Sequence, residues 1–193
     1  MTDHGDYWEA RLTNEPNLKG TGHRAFGLDY NKLLYQAQRD CLELMLAKHQ
    51  MRLTRKRVLD VGSGTGFYVR FFKETGADQV VGIDITETSI EYLRKTFPSF
   101  DFHICDIGSE RIPVTGPFDV IAAIGVLYHL VDDVRFERAI AHLGHLLSDG
   151  GYLLVTDTFS RPLLPSASHA QFRTRGVYQE LLPEHGLHIV DVL

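Results

Sequence analysis

The chain has 193 residues, 44% of them hydrophobic, with 17 glycines and 2 cysteines, which suits one globular unit with a single substantial core. Its net charge of −5 and pI near 6.0 give no long-range attraction to nucleic acid or anionic lipid, so neither is an expected partner. Two cysteines cannot build a disulfide framework, and no run approaches the ~20 apolar residues of a membrane span.

The first 54 residues read as a helical appendage. Tyr7 to Leu12 suggests a short helix, Thr13 to Gly27 a polar connection, and Tyr30 to Lys48 a long helix. Its apolar face is assigned from Leu33, Leu34, Ala37, Cys41, Leu42, Leu44 and Met45 at three-to-four spacing. Cys41 here and Cys105 further on are expected to be reduced core thiols, which points to a reducing, cytoplasmic setting. The acidic, polar N-terminus is unlike a secretion signal. Five Lys or Arg between Lys48 and Arg57 lack interleaved aromatics, so they read as a solvated helix end rather than a nucleic-acid patch. Ten histidines show no zinc-like spacing with cysteines or carboxylates, and no metal site is expected.

Residues 55–193 read as the core. Val58-Leu59-Asp60-Val61 is a buried parallel strand, and Gly62, Gly64 and Gly66 follow as a tight turn with positive φ, with Ser63 between them. From Phe67 the spacing turns helical. A pyrophosphate turn has a different glycine spacing, and Asp60 at its mouth would repel a diphosphate and attract an ammonium group. The ligand implied is cationic and carries no phosphate.

A second strand, Val80 to Ile85, ends in Asp84, which lies 24 positions past Asp60 where a carboxylate can grip ribose hydroxyls. Thr88 and Glu91 are also spaced as a helix capping box, which leaves Asp84 the alternative of a helix-start carboxylate. Phe100 to Cys105 forms a third strand before Asp106 and Ile107, and Phe118 to Gly125, including Ile124, forms a fourth. A helix from Val134 to Leu147, a fifth strand from Tyr152 to Asp157, a connecting segment and helix over Pro165 to Leu182, and a sixth strand from Gly186 to Leu193 complete the pattern. The fold class is α/β, a doubly wound Rossmann-like sheet with helices on both faces.

An acidic residue before G-x-G-x-G, with the later pieces in matching order over residues 55 to 160, resembles the class I S-adenosylmethionine (SAM) dependent methyltransferases. The resemblance implies SAM as cofactor, held by Asp60, Gly62, Ser63, Gly64, Gly66 and Phe67, by Asp84 and Ile85 at the ribose, by Asp106 and Ile107 at the adenine, and by Ile124. It implies that the N-terminal appendage folds over the cofactor, with Tyr7, Trp8, Arg11, Arg24 and Tyr35 as lid candidates. His129, just past the fourth strand, is the candidate general base or an orienting residue; Asp157, Asp132 and Asp133 are weaker candidates. Relatives that methylate amide or base nitrogens carry an Asn/Asp-Pro-Pro-Tyr segment where this chain has Ile124-Gly125-Val126-Leu127-Tyr128-His129. The expected acceptor is therefore a small organic molecule methylated on oxygen, with no nucleic-acid or membrane partner. The alternatives are a SAM-binding accessory protein without catalysis and a nucleotide-dependent oxidoreductase. The family's seventh, antiparallel strand is missing, so the C-terminal end of the sheet reads as truncated at six strands, with an open edge prone to homodimer formation.

Overall fold

The computed structural model describes residues 4–159 and 169–193. The chain divides into two compact units, Met1–Ile104 and Cys105–Leu193. In the first, α1 (His4–Asn14), α2 (Leu18–Thr21) and α3 (Leu28–Lys48) precede β1 (Arg57–Val61), α4 (Phe67–Glu74), β2 (Gln79–Asp84), α5 (Glu87–Thr96) and β3 (Asp101–Ile104). The second holds β4 (Phe118–Ala123), a 3₁₀ turn at Leu127–His129, α6 (Asp133–Leu146), β5 (Leu147–Val155) and α7 (Arg175–Glu184).

The strands form a five-stranded sheet in the order β3-β2-β1-β4-β5. β1 pairs parallel with β2 in the register Asp60 to Gly82, β2 with β3 in the register Asp84 to Ile104, and β4 with β5 in the register Ala122 to Leu154. The architecture is the expected α/β doubly wound one. Val58, Leu59, Ile83 and Ile121 are almost wholly buried, as near-continuous apolar runs demand when both faces of a parallel strand are covered. Strand β1 therefore delivers Asp60 into an apolar interior, which matters below.

Four sequence expectations fail, each for a physical reason. Gly186 to Leu193 is not a sixth strand: residues 187–193 are irregular, with Val190 67% and Leu193 64% exposed. Apolar alternation there is not enough, because a strand exists only where another edge accepts its hydrogen bonds. On α3, Leu33 is 71% and Leu44 62% exposed, while Leu42, Leu46 and Asn31 face inward, so the inward face is rotated from the one assigned. Cys41 is exposed for the same reason, whereas Cys105 is buried. The capping box at Thr88 and Glu91 does not form; Thr86 is the N-cap of α5 and its side chain makes no capping bond. Of the expected segment from Pro165 onward, residues 165–168 lie outside the described residues, and α7 supplies the helix.

Candidate functional site

The glycine turn after β1 is left-handed at all three glycines, with φ of +70° at Gly62, +49° at Gly64 and +77° at Gly66. A side chain would be strained at each, which explains the alternation. The turn spends its own amides: Gly62 and Ser63 donate to the Ile83 carbonyl at 2.7 and 3.0 Å, Gly66 to the Ser63 carbonyl at 2.8 Å, and Gly64 to Asp84 Oδ2 at 2.8 Å. Four of the five turn N–H groups are thus committed within the protein. A diphosphate cradle needs those donors pointing outward, and here they point into the protein.

Asp60 is 1% exposed, and neither carboxylate oxygen has a hydrogen-bond partner. Burial pushes its pKa up to about 7, the negative charge of Asp84 adds to the rise, and the nearby Ser63 hydroxyl, which donates to the Asp60 carbonyl at 3.0 Å, opposes it only in part. An unpartnered buried carboxylate is costly unless a cation completes it. The residue therefore fits a ligand ammonium group.

Asp84 is also buried, but its carboxylate is occupied. Oδ2 accepts from Gly64 N–H, and Oδ1 accepts from Thr86 N–H at 2.9 Å and the Thr86 hydroxyl at 2.7 Å. An ionised carboxylate offers about four lone-pair positions, so one remains for a ligand hydroxyl where the spacing argument envisaged two. Ile85 follows, partly buried. Phe67 stands at the start of α4 with its ring 5.0 Å from Tyr35 and 5.2 Å from Tyr68.

The N-terminal helices close over this turn. The Thr21 methyl carbon lies 2.7 Å from where a Cβ on Gly64 would sit, and the Tyr35 hydroxyl donates to Thr21 Oγ1 at 2.8 Å. Arg11 packs its guanidinium 4.9 Å from the Trp8 ring, 6.0 Å from Tyr7, and donates to the Gly22 carbonyl at 2.5 Å. Tyr7, Trp8 and Arg11 thus hold the appendage together, while Arg24 is exposed.

Sequence reasoning missed Glu9. Its carboxylate accepts from Glu87 N–H at 2.7 Å, Thr88 N–H at 3.1 Å and the Thr88 hydroxyl, so α1 caps the N-terminus of α5 across 78 residues of sequence. Burial pushes the Glu9 pKa up, but the bonds from Thr88 and Glu87 outweigh it and hold the carboxyl below its ordinary value. No local pattern could reveal a cap supplied from so far away.

In the second unit, Asp106 accepts from Gly108 N–H at 2.9 Å and forms an ion pair with Arg135 of α6, beside buried Ile107. Arg135 is a second residue that no local pattern could reveal. Ile124 is buried, and Gly125 N–H donates to Thr156 Oγ1 at 2.8 Å. His129 donates from Nδ1 to the His169 carbonyl at 2.8 Å, which in a neutral ring makes Nε2 the acceptor. Asp132 caps α6 by accepting from Arg135 N–H at 2.8 Å, and Asp133 pairs with Arg173 at 2.8 Å. Asp157 accepts from the Tyr178 hydroxyl at 2.6 Å, and burial raises its pKa.

Residues 58–151 match the family model of the methyltransferase domain. Together with the fold, this makes the segment a class I SAM-dependent methyltransferase domain. Among curated relatives, the tRNA U34 carboxymethyltransferase of Idiomarina loihiensis is 31% identical over 139 residues, covering 66% of this chain and 42% of that protein. That of Proteus mirabilis is 33% identical over 138 residues, covering 65% and 40%. The chain thus spans about two-fifths of the length of these relatives. The magnesium protoporphyrin IX methyltransferase of Synechocystis PCC 6803, solved with bound SAM, superposes with a TM-score of 0.74 at 17% identity, covering 99% of this chain and 89% of that one.

These relatives overturn the expectation of a small organic acceptor without a nucleic-acid partner, since they are named for action on U34 of tRNA. The sequence argument failed because the missing Asn/Asp-Pro-Pro-Tyr segment speaks only to amino-nitrogen acceptors. Net charge failed too, because it averages over the whole surface while recognition is local.

Proposed function

We propose that this chain is the catalytic core of a SAM-dependent enzyme that transfers a one-carbon or carboxymethyl group to a nucleoside of tRNA. The observation that carries the reading is the buried, unpartnered carboxylate of Asp60 beside a glycine turn whose amides are already satisfied. Such a site suits a ligand with an ammonium group and no diphosphate, and the similarity to tRNA-modifying enzymes supplies the acceptor class.

When bound, the sulfonium donor supplies the electrophilic carbon. The protein's share is binding and orientation. Asp60 would take the donor's ammonium, Gly62, Ser63, Gly64 and Gly66 would admit its chain, and Asp84 would take a ribose hydroxyl through its remaining lone pair, with Ile85 and Phe67 alongside. Asp106, Ile107 and Ile124 would border the adenine. His129, oriented through Nδ1, would remove an acceptor proton at Nε2. A cytoplasmic location follows from a tRNA substrate; among the described residues no helix is long and apolar enough to cross a membrane.

The test is incorporation of label from SAM into unmodified tRNA, followed by nucleoside digestion and mass analysis, with a protein and small-phenol acceptor panel in parallel. A labelled tRNA nucleoside is the expected result. Transfer to the other acceptors alone would reject the tRNA reading.

A further inference from the structure

The segment from His23 to Tyr30 is exposed throughout, yet its backbone is tied to a buried side chain. Asn31 at its end is fully buried: Oδ1 accepts from His23 N–H at 2.6 Å, and Nδ2 donates to the carbonyls of His23 at 3.1 Å, Phe26 at 3.4 Å and Gly27 at 3.0 Å. Gly22 is required beneath it, since a Cβ there would lie 2.1 Å from Asn31 Oδ1. One buried amide therefore fixes the whole loop.

What the loop displays is a cluster of rings. Phe26 and Tyr30 lie 4.2 Å apart between centroids with their planes 30° apart, and His23 lies 4.7 Å from Phe26 and 6.3 Å from Tyr30. Phe26 is 45% and Tyr30 44% exposed. Both rings keep nearly half of their surface open to solvent although a buried amide fixes the loop, and exposed aromatic patches of this kind mark binding surfaces. The tilted pair presents exposed π-surface already in place, so little conformational freedom is lost on binding.

The local charge chooses the occupant. Lys32 pairs with Asp29 at 3.1 Å, which neutralises both, and Arg24, exposed within the loop, leaves the patch with a net cation. Unpaired bases need aromatic faces with a cation placed for the backbone phosphate, which is how single-stranded nucleic acid is bound without reading its sequence. An apolar protein partner would gain from Phe26 and Tyr30 but has no use for the cation.

We propose that His23, Phe26 and Tyr30 form a stacking platform for unpaired bases of the RNA substrate, with Arg24 on the adjoining phosphate; this rests on the tRNA reading above. The platform lies outside the cofactor turn and recruits the acceptor rather than taking part in the chemistry.

The test is fluorescence anisotropy of the 193-residue protein with a labelled oligouridylate and with unmodified tRNA. Phe26→Ala/Tyr30→Ala should bind the oligouridylate about ten-fold or more weakly. Phe26→Leu/Tyr30→Leu should lose as much, because it keeps apolar area and loses the π-faces. Arg24→Gln should reduce the slope of log affinity against log salt by about 0.7. SAM affinity should stay at its wild-type value in all three variants, which separates the effect from misfolding. Undiminished RNA affinity in the alanine variant would overturn the platform and leave the tRNA reading standing. A loss in the alanine variant but not the leucine variant would overturn stacking. If the alanine variant changes the oligomeric state by analytical ultracentrifugation and not RNA binding, the surface belongs to a second copy and the proposal fails. A wild-type protein that binds neither RNA would sink both readings.

Discussion

The carboxylate at the carboxyl end of β1 and those that follow β4 and β5 look alike in sequence and are treated oppositely by the fold. Asp132, Asp133 and Asp157 each have a partner within the chain: a helix amide, a guanidinium and a phenol. Asp60 has none. Buried carboxylates in folded proteins nearly always have a partner, so Asp132, Asp133 and Asp157 read as structure, while Asp60 is the exception on which the proposed donor site rests. Asp84 stands between them, occupied by the turn with one position to spare.

Asp60→Asn breaks this contrast most severely. The folded pKa near 7 exceeds the ordinary value of 3.8, so between those values the folded state holds a proton that the unfolded chain has released. Stability is therefore full below the unfolded value and falls as pH rises through that window, by about 4 kcal/mol in total. The asparagine variant should lose this slope and be more stable than wild type at about pH 8, read by urea unfolding. Its affinity for the donor should fall, and the rise of donor affinity with pH through about 7, expected for a cation that requires the ionised form, should vanish.

Asp84→Ala tests the intermediate case. It strips the Gly64 and Thr86 amides of their acceptor, so stability should drop by about 1–3 kcal/mol along with donor affinity. A loss of donor affinity at unchanged stability would show that the bonds to the turn carry no weight and that Asp84 belongs wholly with Asp60.

The smallest expected effect is at Glu9→Gln, which removes a charge from the N-terminus of α5 while keeping an acceptor oxygen. The cost should be about 0.3–1 kcal/mol at neutral pH, lower in high salt because the pair is partly exposed. Glu9 has a depressed pKa, so its contribution is present above the unfolded value and disappears as pH falls through the folded one. Wild type and variant should therefore converge in acid, and a difference that persists there would assign the effect to packing.

The order of amino acids alone was enough to specify the parallel sheet and the glycine turn, and to argue against a phosphate in it. Those follow from local rules: buried strands are continuously apolar, only glycine tolerates positive φ, and a carboxylate at the mouth of a turn repels phosphate. Whether Asp60 is satisfied, and how little of Asp84 is left over, was decided by tertiary structure, since hydrogen-bond partners come from β2 and the turn after it. The same holds for Glu9 capping α5, for Arg135 pairing with Asp106 and for the face of α3 that turns outward. Each depends on which distant residue arrives, and periodicity along one segment carries no information about that. The absent sixth strand is the converse case, a pattern with the right alternation that became nothing because strand structure belongs to pairs of segments rather than to one.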